Sequence, residues 1–397
     1  MVRQDDLEAR ELRVFDLLAE RGLIRARAVG GRPGTPYGLD GLRLPVTVLP
    51  SLSGLLERLP LGGLVTERLE RRFGRPTGRL LGFERALGPS VEIINARETF
   101  QPVSRLACAL ARRRPGIRVV VSVFETIPFR YDDNELSAAI KRTVNREADL
   151  FVANSPQAAD ALRTEGVPDE RIRVIPPAID TGLFRPGEPS RSVRAAWGVG
   201  PDDVVVLFAG RLLREKGLLE LLVALRPLLE PRPDAGPVVL VLHGSGPEEP
   251  RLRRAATALG IAERVRFSPW VPTARMPDVY RAADLVVLPS LPTPYWEEQF
   301  GFNLAEALAC GRPVVSTRSG AIPSTVGDAA VLVEPYHPAE LTCAVDALVR
   351  APQRREALGR DARRWATERF SPDTAGMALL DAFHESTRLP RRTAGRS

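Results

Sequence analysis

The chain has 397 residues, 44% of them hydrophobic and 26% charged, with a formal net charge of +7. This composition is typical of a globular protein of two domains, and no apolar run approaches the ~20 residues of a membrane-spanning helix. Half of the first ten residues are charged, and the scattered histidines and cysteines lack metal-ligand spacing. We therefore expect a cytoplasmic protein without a bound metal or cofactor.

The first half of the chain alternates short apolar runs with helical patterns. After an opening helical pattern at residues 6–22, buried strands are predicted at 23–30, 44–50, 91–96, 119–125, 149–155 and 171–180. This alternation indicates a parallel α/β sheet. A first strand is expected before this opening helix, but the chain begins directly on the helical pattern. Either the sheet lacks its usual first strand or the start of the chain is trimmed.

The same alternation begins again after a polar stretch at residues 186–203. Strands are predicted at 203–210, 238–246, 264–270, 284–290, 313–320 and 329–335. The predicted architecture is therefore two doubly wound α/β domains facing across a cleft, residues 1–190 and 191–370. A last helix at 371–388 is predicted to pack back towards the first domain, and a disordered tail follows at 389–397.

The cations of this chain are almost all arginine, because Lys141 and Lys216 are its two lysines and the other 54 cationic residues are arginines. Lys216 belongs to AGRLLREKG, which connects a predicted buried strand to a helical run. Gly210, Arg211 and Lys216 thus lie where parallel strands end, a position suited to a diphosphate. The alternative is ordinary surface charge, which this chain otherwise supplies with arginine.

Two glycines and two glutamates follow later strands. In HGSGPEE, Gly244 and Gly246 allow close approach of backbone to a ligand. In EQFGFNLAE, Glu298 precedes a helix and Glu306 lies about one turn inside it, so we expect both carboxylates at the cleft mouth. Backbone N–H groups at Phe300–Phe302 form a helix start that favours anions. Each glutamate is alternatively an ordinary first-turn or solvated helix residue.

These segments together resemble a known family. The order AGRLLREKG, HGSGPEE, RVRFSPWVP and EQFGFNLAEALACGRPVVSTRSGAIPSTVGDA resembles the C-terminal domain of retaining glycosyltransferases of family 4. The resemblance covers residues 170–370 closely and the first half in outline, and it implies the GT-B fold. It further implies metal-independent transfer of a hexose-like sugar from a UDP- or GDP-linked donor to a hydroxyl acceptor, such as a glycan or a lipid-linked acceptor.

The resemblance also implies roles for individual residues. Arg211 and Lys216 would bind the donor diphosphate and stabilise the charge that develops as it leaves, a type of interaction that contributes ~3–4 kcal/mol per donor. Glu298 would hold hydroxyls of the transferred sugar, and Glu306 those of the ribose. The remaining donor-binding positions are Gly210, Gly244, Gly246, Phe300, Gly301 and Phe302.

Glu125 departs from the family pattern. A histidine often follows the central strand of the N-terminal domain in this family, and Glu125 stands at the matching place in VVVSVFETIPF. A carboxylate there can hydrogen-bond a donor or acceptor hydroxyl, which makes Glu125 a candidate catalytic residue. Alternatively, it caps a loop.

Other functions fit parts of the pattern. One alternative is hydrolysis of a glycosidic bond by the two carboxylates Glu298 and Glu306. We discount it, because Arg211 and Lys216 would then have no role. A sugar-nucleotide epimerase or a disaccharide phosphorylase of the same fold stays open, as does a catalytically inactive partner subunit.

The region 21–120 contains 18 arginines and 7 acidic residues. Within it, residues 61–83 interleave apolar side chains with arginines, which predicts contact with an anionic membrane surface and a peripheral location on the inner face of the membrane. The same positive charge could also bind a nucleic acid. The region lacks a binding motif and interleaved aromatic residues, so we expect no nucleic-acid partner.

Overall fold

The structure is a computed structural model that describes residues 6–7, 9–30, 32–33, 42–49, 80–230 and 236–390. The chain forms two compact units, residues 1–178 with 372–397, and residues 179–371. Residues 179–190 thus belong to the second unit, whereas the sequence assigned them to the first domain. Backbone contacts explain this difference, because the N–H of Ile179 donates to the carbonyl of Phe370 at 2.6 Å. The Arg363 guanidinium donates to the carbonyls of Thr181 and Phe184.

The first unit is built on parallel strands. Its described elements up to residue 178 are β1 (Asp6–Leu7), α1 (Ala9–Glu20), β2 (Ala28–Gly30), β3 (Arg32–Pro33), β4 (Val46–Val48), α2 (Phe83–Leu87), β5 (Ile93–Arg97), α3 (Pro102–Arg113), β6 (Arg118–Val123), α4 (Glu135–Glu147), β7 (Leu150–Ala153), α5 (Pro156–Thr164) and β8 (Ile172–Val174). The last four strands form one sheet in the order β5-β6-β7-β8, while β2 pairs with β4 and β1 with β3. The two-residue β1 precedes α1, at residues that the sequence pattern included in the opening helix.

The second unit holds a six-stranded parallel sheet. Its elements are α6 (Arg191–Ala196), β9 (Val204–Ala209), α7 (Leu218–Leu229), β10 (Val238–His243), α8 (Glu249–Ala258), β11 (Val265–Ser268), α9 (Met276–Ala282), β12 (Leu285–Leu288), α10 (Phe302–Ala309), β13 (Val314–Thr317), α11 (Ile322–Val326), β14 (Val331–Val333), α12 (Pro338–Val349) and α13 (Pro352–Phe370).

The strand order of this second sheet is β11-β10-β9-β12-β13-β14. The chain therefore builds the sheet outward from β9 in one direction and then from β12 in the other. In open parallel sheets, ligands bind beyond the carboxyl ends of the strands at such a reversal point. The loops that follow β9 and β12 are consequently the first places to look for function.

The last helix, α14 (Met377–Arg388), completes the first unit. Side chains alternate between the two faces of a strand, so Val119 and Val121 of β6 enter one apolar core and Val120 enters another. The second core is closed by residues of α1 and α14, namely Val14, Leu18, Leu379, Ala382 and Phe383. This packing is the physical reason that the end of the chain returns to the first unit.

Every strand predicted from an apolar run is present, so the α/β prediction is confirmed for the part of the chain that the structure describes. Among these same residues, no helix is both long and apolar enough to cross a membrane. The basic stretch 61–83 lies outside the described residues as far as residue 79, and the predicted tail lies outside them from residue 391.

Candidate functional site

The loop after β9 carries two cations with different surroundings. Arg211 is exposed, and its guanidinium has no hydrogen bond or ion pair with any described residue. Lys216 lies in the short 3-10 turn Arg214–Lys216 at the entrance to α7, and its side chain is only 12% exposed. One cation is therefore available to an anion in solution, and the other is held in a fixed position.

Lys216 forms an ion pair with Glu298 across the reversal point of the sheet. Its Nζ lies 2.6 Å from Glu298 Oε2 and 4.7 Å from the centroid of the Trp296 ring. The hydroxyl of Ser290, just beyond β12, donates to the same carboxylate oxygen at 3.0 Å. An ammonium has three N–H donors, and its hydrogen bond to Glu298 uses one of them. The other two have no acceptor among the described residues and can bind an anion.

Close backbone contacts fix the geometry of this pair. Gly217 has a φ of 67°, and a Cβ there would lie 2.1 Å from the carbonyl oxygen of Pro289. Gly320 has a φ of 52°, and a Cβ would lie 2.3 Å from the carbonyl oxygen of Glu298. That oxygen also accepts the N–H of Ala321 at 2.7 Å. Both partners of the ion pair thus lie on segments that only glycine allows to pack so closely.

The glycine turn after β10 packs against the loop after β9. A Cβ on Gly244 would lie 1.9 Å from the carbonyl oxygen of Gly210, and one on Gly246 would lie 2.3 Å from that of Leu212. The N–H of Leu212 donates to the carbonyl of Ser245 at 2.8 Å. These glycines are needed for contact between two loops, a reason that the sequence analysis did not give. Their contact with a donor stays a prediction.

The start of α10 has the form that favours an anion. The helix begins at Phe302 after Gly301, which has a φ of 83°, and no side chain caps it. The first N–H groups of an α-helix have no intrahelical partners. The Phe300 side chain is 2% exposed and its ring packs at 5.0 Å from Phe302 and 5.5 Å from Phe370. The Phe300 side chain is therefore part of the core, and its backbone lies at the start of the helix.

Glu306 is not at an open mouth. It is 2% exposed, and its Oε2 accepts a hydrogen bond from the Tyr280 hydroxyl at 2.8 Å. Tyr280 is itself fully buried in α9. The expectation that both carboxylates lie at the cleft mouth is therefore wrong for Glu306, because its side chain is buried against Tyr280 of α9.

Four further polar or aromatic residues were missed by the sequence analysis. Ser290 and Trp296 contact the ion pair, as described above. Asn303 donates from Nδ2 to the carbonyl of Ala209 at 2.5 Å, and its Oδ1 has no partner among the described residues. The buried Ser319 hydroxyl, just beyond β13, likewise has none. Ser290, Asn303 and Ser319 share one signal, a polar side chain just after a buried parallel strand or in the first turn of the next helix, and Trp296 does not have it.

His243, at the end of β10, is neutral near physiological pH. Burial lowers the pKa of His243 to about 4. Its Nδ1 lies 3.0 Å from the Ser268 hydroxyl, and its Nε2 has no partner in the part of the chain that the structure describes. His243 therefore adds no positive charge to the site, which leaves Arg211 and Lys216 as the cations.

Glu125 lies in the first unit, just beyond β6, and is 3% exposed. Its Oε1 accepts the N–H groups of Thr126 and Ile127 at 3.1 and 3.0 Å, and its Oε2 pairs with Arg130 at 3.2 Å. Burial raises the pKa of Glu125, although these hydrogen bonds and Arg130 act in the opposite direction. The loop-capping alternative is thus what the structure displays, and the catalytic role stays a prediction.

The second lysine, Lys141, is also held by a glutamate. It is 4% exposed, pairs with Glu165, and donates to the carbonyl of Arg130 at 3.2 Å. Glu165 also accepts the N–H of Phe129 at 2.9 Å. Lys141 and Glu165 thereby fasten the loop after β6 to α4, beside a cavity of about 350 Å³ that no predicted site residue lines.

No group of three or more histidine, cysteine, aspartate or glutamate side chains in the described ranges is arranged to hold a metal ion. Metal independence stays a prediction.

Two family models match the chain. "Glycosyl transferases group 1" matches residues 190–365, and "Glycosyl transferase 4-like domain" matches residues 8–178. Together they span most of both units.

The chain is similar to curated proteins named D-inositol 3-phosphate glycosyltransferase. It is 36% identical over 246 residues to that of Segniliparus rotundus, covering 61% of this chain and 53% of that protein. It is 36% identical over 293 residues to that of Rhodococcus opacus, covering 70% and 64%. The chain thus spans about half to two thirds of the length of these relatives.

Solved structures share the fold. Anabaena Alr3699/HepE, in complex with UDP and glucose, has a TM-score of 0.71 and 22% identity, covering 94% of this chain and 95% of that chain. Sucrose-phosphate synthase from Thermosynechococcus elongatus has a TM-score of 0.68 and 21% identity, covering 94% and 91%. At these identities the likeness establishes fold alone.

Proposed function

The chain belongs to the group 1 glycosyltransferases of the GT-B fold, and from that premise we propose that it transfers a hexose-like sugar from a nucleotide-diphosphate donor to a hydroxyl acceptor. The observation that carries the proposal is the Lys216–Glu298 ion pair, together with Arg211 on the same loop, which has no ion pair with any described residue. All three lie beyond the carboxyl ends of β9 and β12, the neighbouring strands between which the order of strand addition reverses.

The chemistry of this group suits a sugar diphosphate. Arg211 offers a guanidinium that can bind two phosphate oxygens at once, and Lys216 offers its two remaining N–H donors. The start of α10 supplies further backbone donors for a phosphate. As the bond between sugar and phosphate breaks, negative charge grows on the leaving diphosphate, and these fixed positive groups stabilise it. In this proposal they do so in place of a metal ion.

Glu298 is the proposed ligand of the transferred sugar. A carboxylate accepts hydrogen bonds from hydroxyls, and Lys216 and Ser290 hold this one in a single orientation. Glu306 is the proposed ribose ligand, with Tyr280 orienting it. Because Glu306 is buried, a bound ribose must displace the side chains that cover it.

The identity of the donor is proposed at the level of class. Structures of Anabaena Alr3699/HepE with UDP and with UDP-glucose support a UDP-linked donor, and a GDP-linked donor is the alternative. The relatives named for D-inositol 3-phosphate support a polyol hydroxyl as acceptor. Retention of anomeric configuration is proposed from the family resemblance.

A thermal-shift panel of UDP, GDP, ADP and their glucose conjugates tests the donor site. A ligand present at 100 times its Kd stabilises a protein by about 2.7 kcal/mol, which is readily measured. We expect one nucleotide family to stabilise the chain and this effect to weaken strongly in Arg211→Ala and Lys216→Ala. The control is Arg226→Ala, which removes an exposed arginine that pairs with Glu230 at the far end of α7. If no nucleotide stabilises the chain at millimolar concentration, the proposal is wrong and an inactive partner subunit is favoured.

Product analysis separates the other reactions of the same fold. The stabilising sugar nucleotide is incubated without an acceptor and then with a panel of sugars and polyols. A glycosyltransferase releases the nucleotide in an acceptor-dependent manner. A new sugar nucleotide in the absence of an acceptor would identify an epimerase instead.

A further inference from the structure

The proposed function gives no role to Lys141, one of the two lysines in a chain that otherwise uses arginine. Lys141 is 4% exposed and lies in α4. Helical spacing brings four polar residues onto one side of α4, namely Lys141, Arg142, Asn145 and Arg146. All four line the cavity of about 350 Å³ beside this helix, and residues of the segment 165–171, between α5 and β8, line it as well.

This cavity lies away from the carboxyl edge of the sheet. Asn145 is in the last turn of α4, which leads into β7, and Arg171 directly precedes β8. The two are linked, because the Arg171 guanidinium donates to the carbonyl of Asn145 at 2.9 Å. The chain enters β7 and β8 at their amino ends, so these residues lie on the side opposite to that edge. The loop after β6 reaches the same cavity with Phe129 and Asp132. The cavity is therefore separate from the edge at which parallel sheets usually bind ligands.

The cavity repeats the composition of the proposed donor site. Lys141 forms an ion pair with Glu165 and donates to the carbonyl of Arg130 at 3.2 Å. An ammonium has three N–H donors, so one of them has no acceptor in the described ranges. The adjacent Arg142 is exposed, and its guanidinium has no hydrogen bond or ion pair with any described residue. A buried lysine held by a glutamate, with an available arginine on the same segment, thus occurs in both units.

The charges that line the cavity favour an anion. The carboxylate of Glu165 already accepts hydrogen bonds from Lys141, from Asn145 Nδ2 at 3.1 Å and from the N–H of Phe129 at 2.9 Å. Four cationic and two acidic side chains line the cavity, a surplus of two positive charges. A phosphate monoester carries about −1.5 to −2 charges at pH 7 and would balance this surplus. The buried Oδ1 of Asn145 has no partner in the part of the chain that the structure describes, and a donor that enters beside it would satisfy it.

We propose that this cavity binds a small molecule that bears a phosphate group. Arg142 binds two phosphate oxygens at once, and Lys141 binds a third through its remaining N–H. The volume lies at the lower end of the range for small-molecule pockets, about 300–1,000 Å³, and suits a ligand of a single ring or less. The site is in the first unit, whereas the proposed donor site is in the second, so the inference does not depend on the proposed function.

Occupation of the cavity is expected to steady the loop after β6. Glu165 accepts the N–H of Phe129, and Lys141 donates to the carbonyl of Arg130, so the lysine–glutamate pair holds this loop. The loop needs such support, because Phe129 and Tyr131 have φ values of 57° and 76°, which side-chain-bearing residues seldom adopt. A ligand on Lys141 and Arg142 adds contacts to the same groups, and the loop should therefore open less often when the ligand is bound.

Hydrogen exchange with three probes tests the site. The probes are inorganic phosphate, glucose 6-phosphate and glucose, each compared with sodium chloride at matched ionic strength. At ten times its Kd, a phosphate-bearing probe is expected to slow exchange about tenfold in peptides that cover residues 126–134, 141–146 and 165–171, and glucose is expected to have no effect. Tighter binding of glucose 6-phosphate than of phosphate would identify a phosphorylated small molecule as the ligand, and equal binding would identify free phosphate.

Four variants make the test specific. Arg142→Ala removes an exposed side chain, so we expect it to fold and to weaken binding at least about tenfold. Arg142→Lys keeps the charge without the fork of donors and should be intermediate. The matched control is Arg105→Ala in α3, because the Arg105 guanidinium is also exposed and has no hydrogen bond or ion pair with any described residue. Arg211→Ala removes the exposed cation of the donor loop, and protection at the cavity should persist in it.

Three results would overturn the inference. They are no protection of these peptides beyond the chloride blank, equal protection by glucose and its phosphate, and wild-type protection in Arg142→Ala. Protection that is lost in Arg211→Ala but kept in Arg142→Ala would assign the effect to the donor site and would overturn it as well.

Discussion

Replacing Lys216 by alanine removes the partner that neutralises Glu298. Both side chains are 12% exposed, and the hydroxyl of Ser290 is the other hydrogen-bond partner of the carboxylate. Breaking a fully buried ion pair costs 3–5 kcal/mol, and since water reaches this pair we expect a loss of about 2 kcal/mol in the free energy of unfolding. In the Lys216→Ala/Glu298→Ala double variant the loss is expected to be at least about 1 kcal/mol smaller than the sum of the two single losses.

The same substitution has a separate effect on catalysis. Loss of one fixed cation at the leaving diphosphate is expected to remove about 3–4 kcal/mol of transition-state stabilisation, a fall of about 10²–10³ in kcat. Lys216→Arg keeps the charge but places a planar, wider group beside Trp296. We therefore expect it to stay folded and to lose at least about tenfold in rate.

The measurements are urea unfolding of the four members of the cycle and nucleotide release with the stabilising donor. Arg226→Ala is the control, because it removes an exposed, paired arginine of the same unit. Transfer within about threefold of wild type in Lys216→Ala, or additive stability losses in the cycle, would refute the reasoning.

Three further predictions concern stability and membrane contact. Gly217→Ala is expected to destabilise the chain by at least about 1–2 kcal/mol more than Gly198→Ala in urea unfolding, because both have positive φ but only Gly217 faces a backbone atom within 4 Å. Equal losses would mean that the contact with Pro289 is unimportant. Burial raises the pKa of Glu98, the residue after β5, to about 7. As pH rises from about 4.5 to about 7, Glu98 keeps its proton longer in the folded state than in the unfolded state, so the contribution of Glu98 to the free energy of unfolding should fall by about 3 kcal/mol. Glu98→Gln should lack this change, and parallel pH profiles of the free energy of unfolding for the two proteins would contradict a raised pKa of Glu98. Residues 61–83 predict binding to anionic vesicles at low salt, and flotation that is indifferent to lipid charge would exclude it.

Much of the fold follows from local sequence patterns. The central strands of the second unit are buried on both faces, so they appear in the sequence as uninterrupted apolar runs such as VVVLFA at 204–209. This pattern is local, and a strand is present at each apolar run from which one was predicted. It does not give their order, and the reversal between β9 and β12 follows from the tertiary structure.

The limits of the two domains were harder to predict. A polar stretch near residue 190 has the composition of a linker, but residues 179–190 are fastened to the second unit by hydrogen bonds from Ile179 and Arg363. Contacts between residues about 180 positions apart leave no signal in local composition.

The sequence by itself pointed to the charged residues of the candidate site, because Lys216 is unusual for this chain, Arg211 stands directly after a buried strand, and Glu298 stands just before a helix. Only the tertiary structure decided what surrounds them: Lys216 pairs with Glu298, Glu306 faces Tyr280, and Gly244 meets a neighbouring loop. The physical reason is that periodicity along a chain reveals which residues end a strand. The partner of each side chain depends on which strands become neighbours, and that is fixed only when the sheet assembles.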